Sequence, residues 1–595
     1  MKKPDISGWS YDDSLECLLV FANLVDEITF NYTTDSYKAP ALHVMSLMNE
    51  LLQTIENINK GVIREQALGS VIGELKWSIE RDELFLDLIA SKKLTGLIPI
   101  INSGSSTEDI KHATEMIVRS VSNDEYLKAI KEKISDIVKN TKQKKQLEKL
   151  TRTLITHLRF MGYSEDFIYY KNKEFFFKPS SFINTVSKID EFLSIFTGNS
   201  KTYKVIHIGN NIVAQIRNAI VADGGDVGDD FNIGINNNRV KKFKQKLNNN
   251  WKFVTTKVEA KDEYAARIAA EDRISALSNI FSFYHHKNTL TFHDVCMVVD
   301  VDNPAGFVKI KKPTPNIVRC KDLKPLSASR LFIQAANHVS MEPDSIIRIQ
   351  KSLKLHQAAL TADTLENQFV NLFTALEILI PKQVDSGKDR IIQIYDTLIP
   401  YLCLGYFNKL IDSVVVTLRQ WNVAMLNHIE QTVTEGTSTS EKVCAYMLLQ
   451  KYDQDLDNVV YKAITADKFM LLRHRMFRLH KMMEKPSELQ KYLKHHEQKL
   501  KWHIDRIYRT RNLIVHSGVS PYYLETLLEN IHFYYDILIT RLIHDNLKRG
   551  FQKLEYSYLM YEVEYKEYQE KLSKLQSKGD SIDENNFLDA VLLQS

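Results

Sequence analysis

Cysteine is scarce in this sequence. The five in 595 residues are Cys17, Cys296, Cys320, Cys403 and Cys444, and no two are neighbours. That spacing excludes a C-x-x-C metal knuckle, and an odd, scattered set makes no disulfide framework. Glycine and proline are also few, 20 and 13 in the whole chain. So thin a supply of turn formers points to a helix-rich protein. No apolar run approaches the 18 or so residues that a membrane span needs. The first residues, "MKKPDISGWSYDD", carry acids where a signal peptide needs an unbroken apolar core. The expectation is a cytoplasmic protein with reduced thiols. Charge of one sign is missing as well: 78 basic residues face 74 acidic ones, a net +4. That balance neither demands nor excludes a polyanionic partner.

What is present is length and helical periodicity. At this length the chain exceeds what one core usually supports, so several domains are expected. Residues 1–149 read as an N-terminal helical domain: "LECLLVFANLVDEI" and "ALHVMSLMNELLQTIENI" place apolar residues three and four apart. Thr107 opens a capping pattern in which Asp109 falls one place early. The lysines between Lys128 and Lys149 are mixed with Glu132, Asp136 and Glu148, which reads as a solvated helix face.

Residues 150–344 read as a mixed α/β domain. "EFFFKP", "YKVIHIG", "WKFVTTKVEA" and "LTFHDVCMVVDV" have the branched and aromatic content of strands, and a helix at "DEYAARIAAEDRISALSNIFSFY" lies among them. "DGGDVGDDFNIGINNN" reads as an exposed loop. Its acids Asp223, Asp226, Asp229 and Asp230 miss the EF-hand spacing. Asp300 and Asp302 read as acids at a strand end. His495 and His496 are consecutive and face apart, and His285 and His286 precede a turn. The sequence therefore gives no metal site and no cofactor. From about 345 the chain is helical again, with a charged helical tail at 551–595.

The chemistry concentrates at "RTRNLIVHSG", residues 509–518. Ser487, with Gln490 three residues on, reads as the cap of a helix whose apolar stripe runs through Leu489, Tyr492, Leu493, Leu500, Ile504, Ile507 and Tyr508. The same rule lands next on Arg511. A guanidinium cannot shed its charge, so in that position it needs a carboxylate, a phosphate or a cleft. His516 follows five residues later, about 140° round an ideal helix. Gly518 and Ser520-Pro521 mark the helix end. Two arrangements would bring Arg511 and His516 together: local unwinding at that end, or a dimer interface. An arginine and a histidine suit metal-free RNA cleavage, the imidazole moving a proton and the guanidinium stabilising the phosphoryl charge.

"IYRTRNLIVHSG" resembles the R-N-x-x-x-H motif of HEPN domains, with Arg511, Asn512 and His516 at its fixed positions. "LENQFVNLFTALEILIP", residues 365–381, resembles the "ALE" helix of the HEPN subgroup found in anti-phage proteins. The resemblance covers roughly the last third of the chain. It implies a HEPN-like helical bundle at 345–550 and a metal-independent endoribonuclease. The catalytic residues it implies are Arg511, Asn512 and His516. Arg509 and Glu377 would support them, Glu377 as the partner of Arg511. It also implies a homodimer with a composite site, RNA (tRNA among the candidates) as substrate, and products with 2′,3′-cyclic phosphate and 5′-hydroxyl ends. The setting would be an abortive-infection or toxin system with a phage component or a nucleotide as trigger. A non-catalytic HEPN module that binds nucleotides or a partner protein is the competing expectation.

Overall fold

The computed structural model describes residues 3–30, 38, 40–140, 143–235, 237–248, 250–313, 323–338, 340–381 and 389–591. The chain is mainly helical, with one five-stranded antiparallel sheet. It divides into two compact units that are discontinuous in sequence. One comprises Ile6–Phe30 and Asn123–Pro315. The other comprises Met1–Asp5, Asn31–Ser122 and Asn316–Ser595. This division splits the segments 1–149 and 150–344 between the two units, while 345–550 and 551–595 fall together in one of them. Helical periodicity shows that a segment has an apolar face and carries no information about which segment will cover it.

The first unit holds the sheet. Its strands are β1 (Lys201–Gly209), β2 (Asp226–Gly228), β3 (Lys252–Ala260), β4 (Val295–Asp300) and β5 (Val308–Lys311), in the order β2-β3-β1-β4-β5. Both faces are covered. Ile206, Ile208, Phe253, Met297 and Val299 pack on one side with Phe231, Val240 and Phe243. Tyr203, Val205, Val258, Cys296 and Val298 pack on the other, against Ala266 and Ala270 of the helix Glu263–Tyr284. Alternate residues of each strand thus enter different layers, as the two-residue period of a strand requires.

Two expectations change here. "EFFFKP" is not a strand: Glu174–Phe176 closes the helix Glu165–Phe176, capped by Ser164. Ile168, Asn172 and Phe176 recur at four-residue spacing and are buried, so helical periodicity overrides the strand propensity of the aromatics. The glycine-rich stretch at 223–238 is not wholly exposed either: it contains β2, and Phe231 and Ile233 are core residues. Among its acids, Asp223 pairs with Arg273, Asp229 with Lys252 and Asp230 with Lys244. Asp300 ends β4 and pairs with Lys201.

The second unit is helical. The helix Thr107–Ser120 is capped one residue earlier than expected: Ser106 accepts from the Asp109 amide, which puts the acid at its regular distance. The long helix Pro486–Ser517 is likewise not capped by Ser487. It starts at Pro486, and the Asp580 carboxylate accepts from both the Ser487 amide, at 2.8 Å, and its hydroxyl, at 2.5 Å. The cap is supplied from ninety-three residues away. The next helix, Leu524–Arg549, buries Tyr534, Tyr535, Leu527, Leu528 and Leu538, so most of its aromatic surface is core. The four described cysteines, Cys17, Cys296, Cys403 and Cys444, are free and buried. Among the described residues no single helix is long and apolar enough to cross a membrane.

Candidate functional site

The helix Pro486–Ser517 runs without interruption to the motif's end and stops at Gly518, whose φ of 65° is the left-handed turn that a glycine accepts without strain. Local unwinding therefore does not bring Arg511 and His516 together. Within one chain they leave the helix about 140° apart, set by its 3.6-residue period. His516 is exposed in the last turn, with no side-chain hydrogen bond among the described residues. Around it Val515, Val519 and Tyr522 are also exposed, at 49%, 58% and 48%.

Arg511 is half-buried rather than deep in the core. Its guanidinium carbon lies 5.8 Å from the ring centre of Phe373, on the helix Leu365–Leu379, and its Nη1 donates to Asn512 Oδ1 at 3.0 Å. Its Nε is buried without a hydrogen-bond partner, and it forms no ion pair among the described residues. Asn512 therefore holds the arginine from the neighbouring position, while no described carboxylate neutralises the charge.

Glu377 does not answer that charge. It pairs with Arg390, whose Nε donates to Glu377 Oε1 at 3.2 Å. The same guanidinium donates to the carbonyls of Glu377, Ile380 and Pro381. Arg390 thus closes the C-terminal end of the Leu365–Leu379 helix, and Glu377, in its last turn, is the acid within reach. Arg511 meets that helix at Phe373, one turn earlier, where only a ring is available.

Arg509 is buried and turned the other way. It joins Arg506, which the sequence did not single out, on Glu50 of the helix Val44–Asn59. Arg506 donates side-on to Glu50, Nε to Oε1 at 2.9 Å and Nη2 to Oε2 at 3.0 Å, and Nη2 also reaches Glu74 at 2.5 Å. Tyr523 donates its hydroxyl to Glu50 at 3.3 Å. Burial works to raise the Glu50 carboxyl, and Arg506 and Arg509 more than reverse it, holding it at about 2. Burial, with Glu50 adding to it, pushes the Tyr523 phenol well above its ordinary value. This is a buried ion-pair network with a bidentate Arg506–Glu50 contact at its centre, though Arg509 Nη1 is buried without a hydrogen-bond partner. The only trace of it in the sequence is a second arginine three residues before Arg509, on the same helix face. Its acids lie more than four hundred positions away.

A second cluster also escaped the sequence. His356, His532 and Asp536 offer ligand atoms that all lie within 4.8 Å of one another. The four-residue spacing of His532 and Asp536 was legible, but nothing in the sequence pointed to His356 as the third member. The consecutive pair separates as expected: His495 packs against Trp77 and His496 stacks on Tyr406.

An exposed imidazole at a helix end can accept or donate a proton, and an arginine without a carboxylate can receive a phosphate. No family model, curated protein or solved structure matches this chain.

Proposed function

We propose that the chain is a metal-independent endoribonuclease of the HEPN kind. Arg511 stabilises the charge on the phosphoryl group, His516 transfers the proton to or from the reacting oxygens, and Asn512 holds Arg511 in place. The 2′-hydroxyl attacks the adjacent phosphorus, the 5′-oxygen leaves with a proton, and the products carry a 2′,3′-cyclic phosphate and a 5′-hydroxyl. The observation that carries this reading is the state of Arg511: a half-buried guanidinium, positioned by Asn512 and Phe373, with no carboxylate among the described residues to neutralise it. Bringing two groups about 140° apart to one phosphate requires a second copy, so the active species in this reading is a homodimer whose two helix ends build one site. The exposed Val515, Val519 and Tyr522 beside His516 suit such a contact. A cytoplasmic role in phage defence or as a toxin, with tRNA among the substrates, belongs to the same proposal.

The uninterrupted helix also favours a second reading, a non-catalytic module in which Arg511 receives a nucleotide or an acidic partner without cleaving it. One experiment separates the two: induced expression of wild type and of His516→Ala, followed by sequencing of RNA 5′-hydroxyl ends. New ends that need His516 support the ribonuclease. Identical end profiles from both, with nucleotide binding retained, support the binding module.

A further inference from the structure

The helix Pro343–Thr361 and the helix Leu524–Arg549 belong to the same compact unit and meet through polar groups. Ser352 donates to the Ala375 carbonyl at 2.7 Å and stands 3.1 Å from the Tyr535 hydroxyl. One turn further along, His356 stacks on Tyr535, with ring centres 4.9 Å apart and planes at 11°. That stack fixes the plane of the imidazole and aims it at the neighbouring helix. His356 Nε2 and His532 Nε2 then face each other at 3.1 Å. On the opposite side of the His532 ring, Nδ1 lies 3.2 Å from Asp536 Oδ2, one helical turn on.

We propose that His356, His532 and Asp536 form a binding site for one divalent transition-metal ion of the zinc class. The chemistry of the donors is right for it: two imidazole nitrogens are ligands such ions take, with the Asp536 carboxylate beside His532 rather than in the ion's own shell. The geometry is close as well. Nitrogen ligands sit about 2.0–2.1 Å from zinc, which puts two of them about 3–3.5 Å apart in a tetrahedral shell. The imidazole nitrogens are already 3.1 Å apart. The Asp536 carboxylate stands 3.2 Å from His532 Nδ1, on the side of the ring away from His356, the place an acid takes behind a metal-bound histidine. Metal can enter, because the Asp536 side chain is 45% exposed while His532 is buried at 6%. Such an ion would clamp the two helices, and its remaining positions would face solvent. It makes no use of Arg511 or His516, so its presence and RNA cleavage stand or fall separately.

The test uses the full chain, stripped with chelator and titrated with Zn2+ by calorimetry, and with Co2+ followed by its visible absorption. The expected result is one tight equivalent of Zn2+ and cobalt bands of a nitrogen-ligated, low-coordinate ion. His356→Gln or His532→Gln should weaken Zn2+ more than about 100-fold, beyond the cost of losing an orienting partner, and Asp536→Asn by about 10–100-fold. Equal zinc affinity in wild type and His356→Gln, or binding in neither, overturns the site and leaves a simple imidazole–imidazole hydrogen bond. Should the histidine variants fail to fold, the wild-type cobalt spectrum decides, and a spectrum of the hydrated ion overturns the proposal.

Discussion

Three arginines on the helix Pro486–Ser517 lie within six residues and meet opposite circumstances. Arg506 and Arg509 are buried and bound to Glu50, with Glu74 and Tyr523 completing the set. Arg511 is half-buried, rests against a ring, and among the described residues bonds only to its own neighbour Asn512. Residue type does not separate them. Angle does: Arg506 and Arg509 are about 60° apart on the helix and face the helices that carry Glu50 and Glu74, while Arg511 is about 140° from Arg506 and faces Phe373. The comparison teaches that the first pair is tied into the fold by its shared acid, while the third arginine forms no ion pair among the described residues.

The sharpest way to break this comparison is at the open end. Arg511→Ala or His516→Ala should lower RNA cleavage about 10²–10⁴-fold, the range for removing a proton-transfer group. His516→Ala should change unfolding free energy by no more than about 0.5 kcal/mol, because the side chain is exposed. Cleavage rates and urea melts on the same preparations check both halves. Wild-type cleavage in both variants would remove the ribonuclease reading.

At the closed end the order reverses. Glu50→Ala leaves two buried guanidinium groups without their shared acid and should cost about 3–5 kcal/mol in urea unfolding. Its RNA-cutting rate under folding conditions should stay near wild type. A loss of activity far exceeding the loss of fold would mean that the network reaches the site and would erase the distinction between the two ends.

Mixing sharpens the dimer part of the proposal. A chain carrying both Arg511→Ala and His516→Ala, co-expressed in excess, should suppress wild-type cleavage several-fold, because each heterodimer holds only one live motif. Fully retained activity, together with sedimentation as a monomer, would require one chain to do the chemistry alone.

Acid separates the network from its histidine neighbours on the same helix. Burial, aided by Lys499, holds His495 at about 4 and His496 at about 3, below the ordinary 6.5. Both are neutral in the fold, so their contribution is full above pH 6.5 and is lost as pH falls toward those values. Glu50, at about 2 against an ordinary 4.5, adds a second loss as pH falls below 4.5. Urea midpoints measured against pH should show both limbs. His496→Phe, which keeps an aromatic stacked on Tyr406, should flatten the upper one.

The smallest effect expected is at Glu377. Glu377→Gln keeps a hydrogen-bonding group for Arg390 and should change stability by about 1 kcal/mol or less, with RNA cleavage retained. Strong loss of cleavage would return Glu377 to the catalytic centre. Asn512→Ala should fall between this variant and the loss of Arg511, since an amide positions the charge without carrying it.

The sequence by itself determined the helical character of the chain, the β-rich middle and the helix end at Gly518. Those properties are local: periodicity, strand propensity and a left-handed cap are written in neighbouring positions. It did not determine the partners. Arg509 was singled out for its place beside the motif, and Glu377 for its place on the helix at 365–381. Which arginine Glu377 takes and which acid Arg509 takes depended on helices brought together from distant parts of the chain. The apolar stripe was extrapolated through Arg511, but the buried face widens toward Arg506, Arg509 and Thr510 once Glu50 and Glu74 are there to receive the charges. The cap at Ser487 came from Asp580, and the histidine cluster needed His356 from another helix. A buried charge is tolerated only where its counter-charge stands. That is a property of tertiary structure, so only tertiary structure decided which arginine was left open.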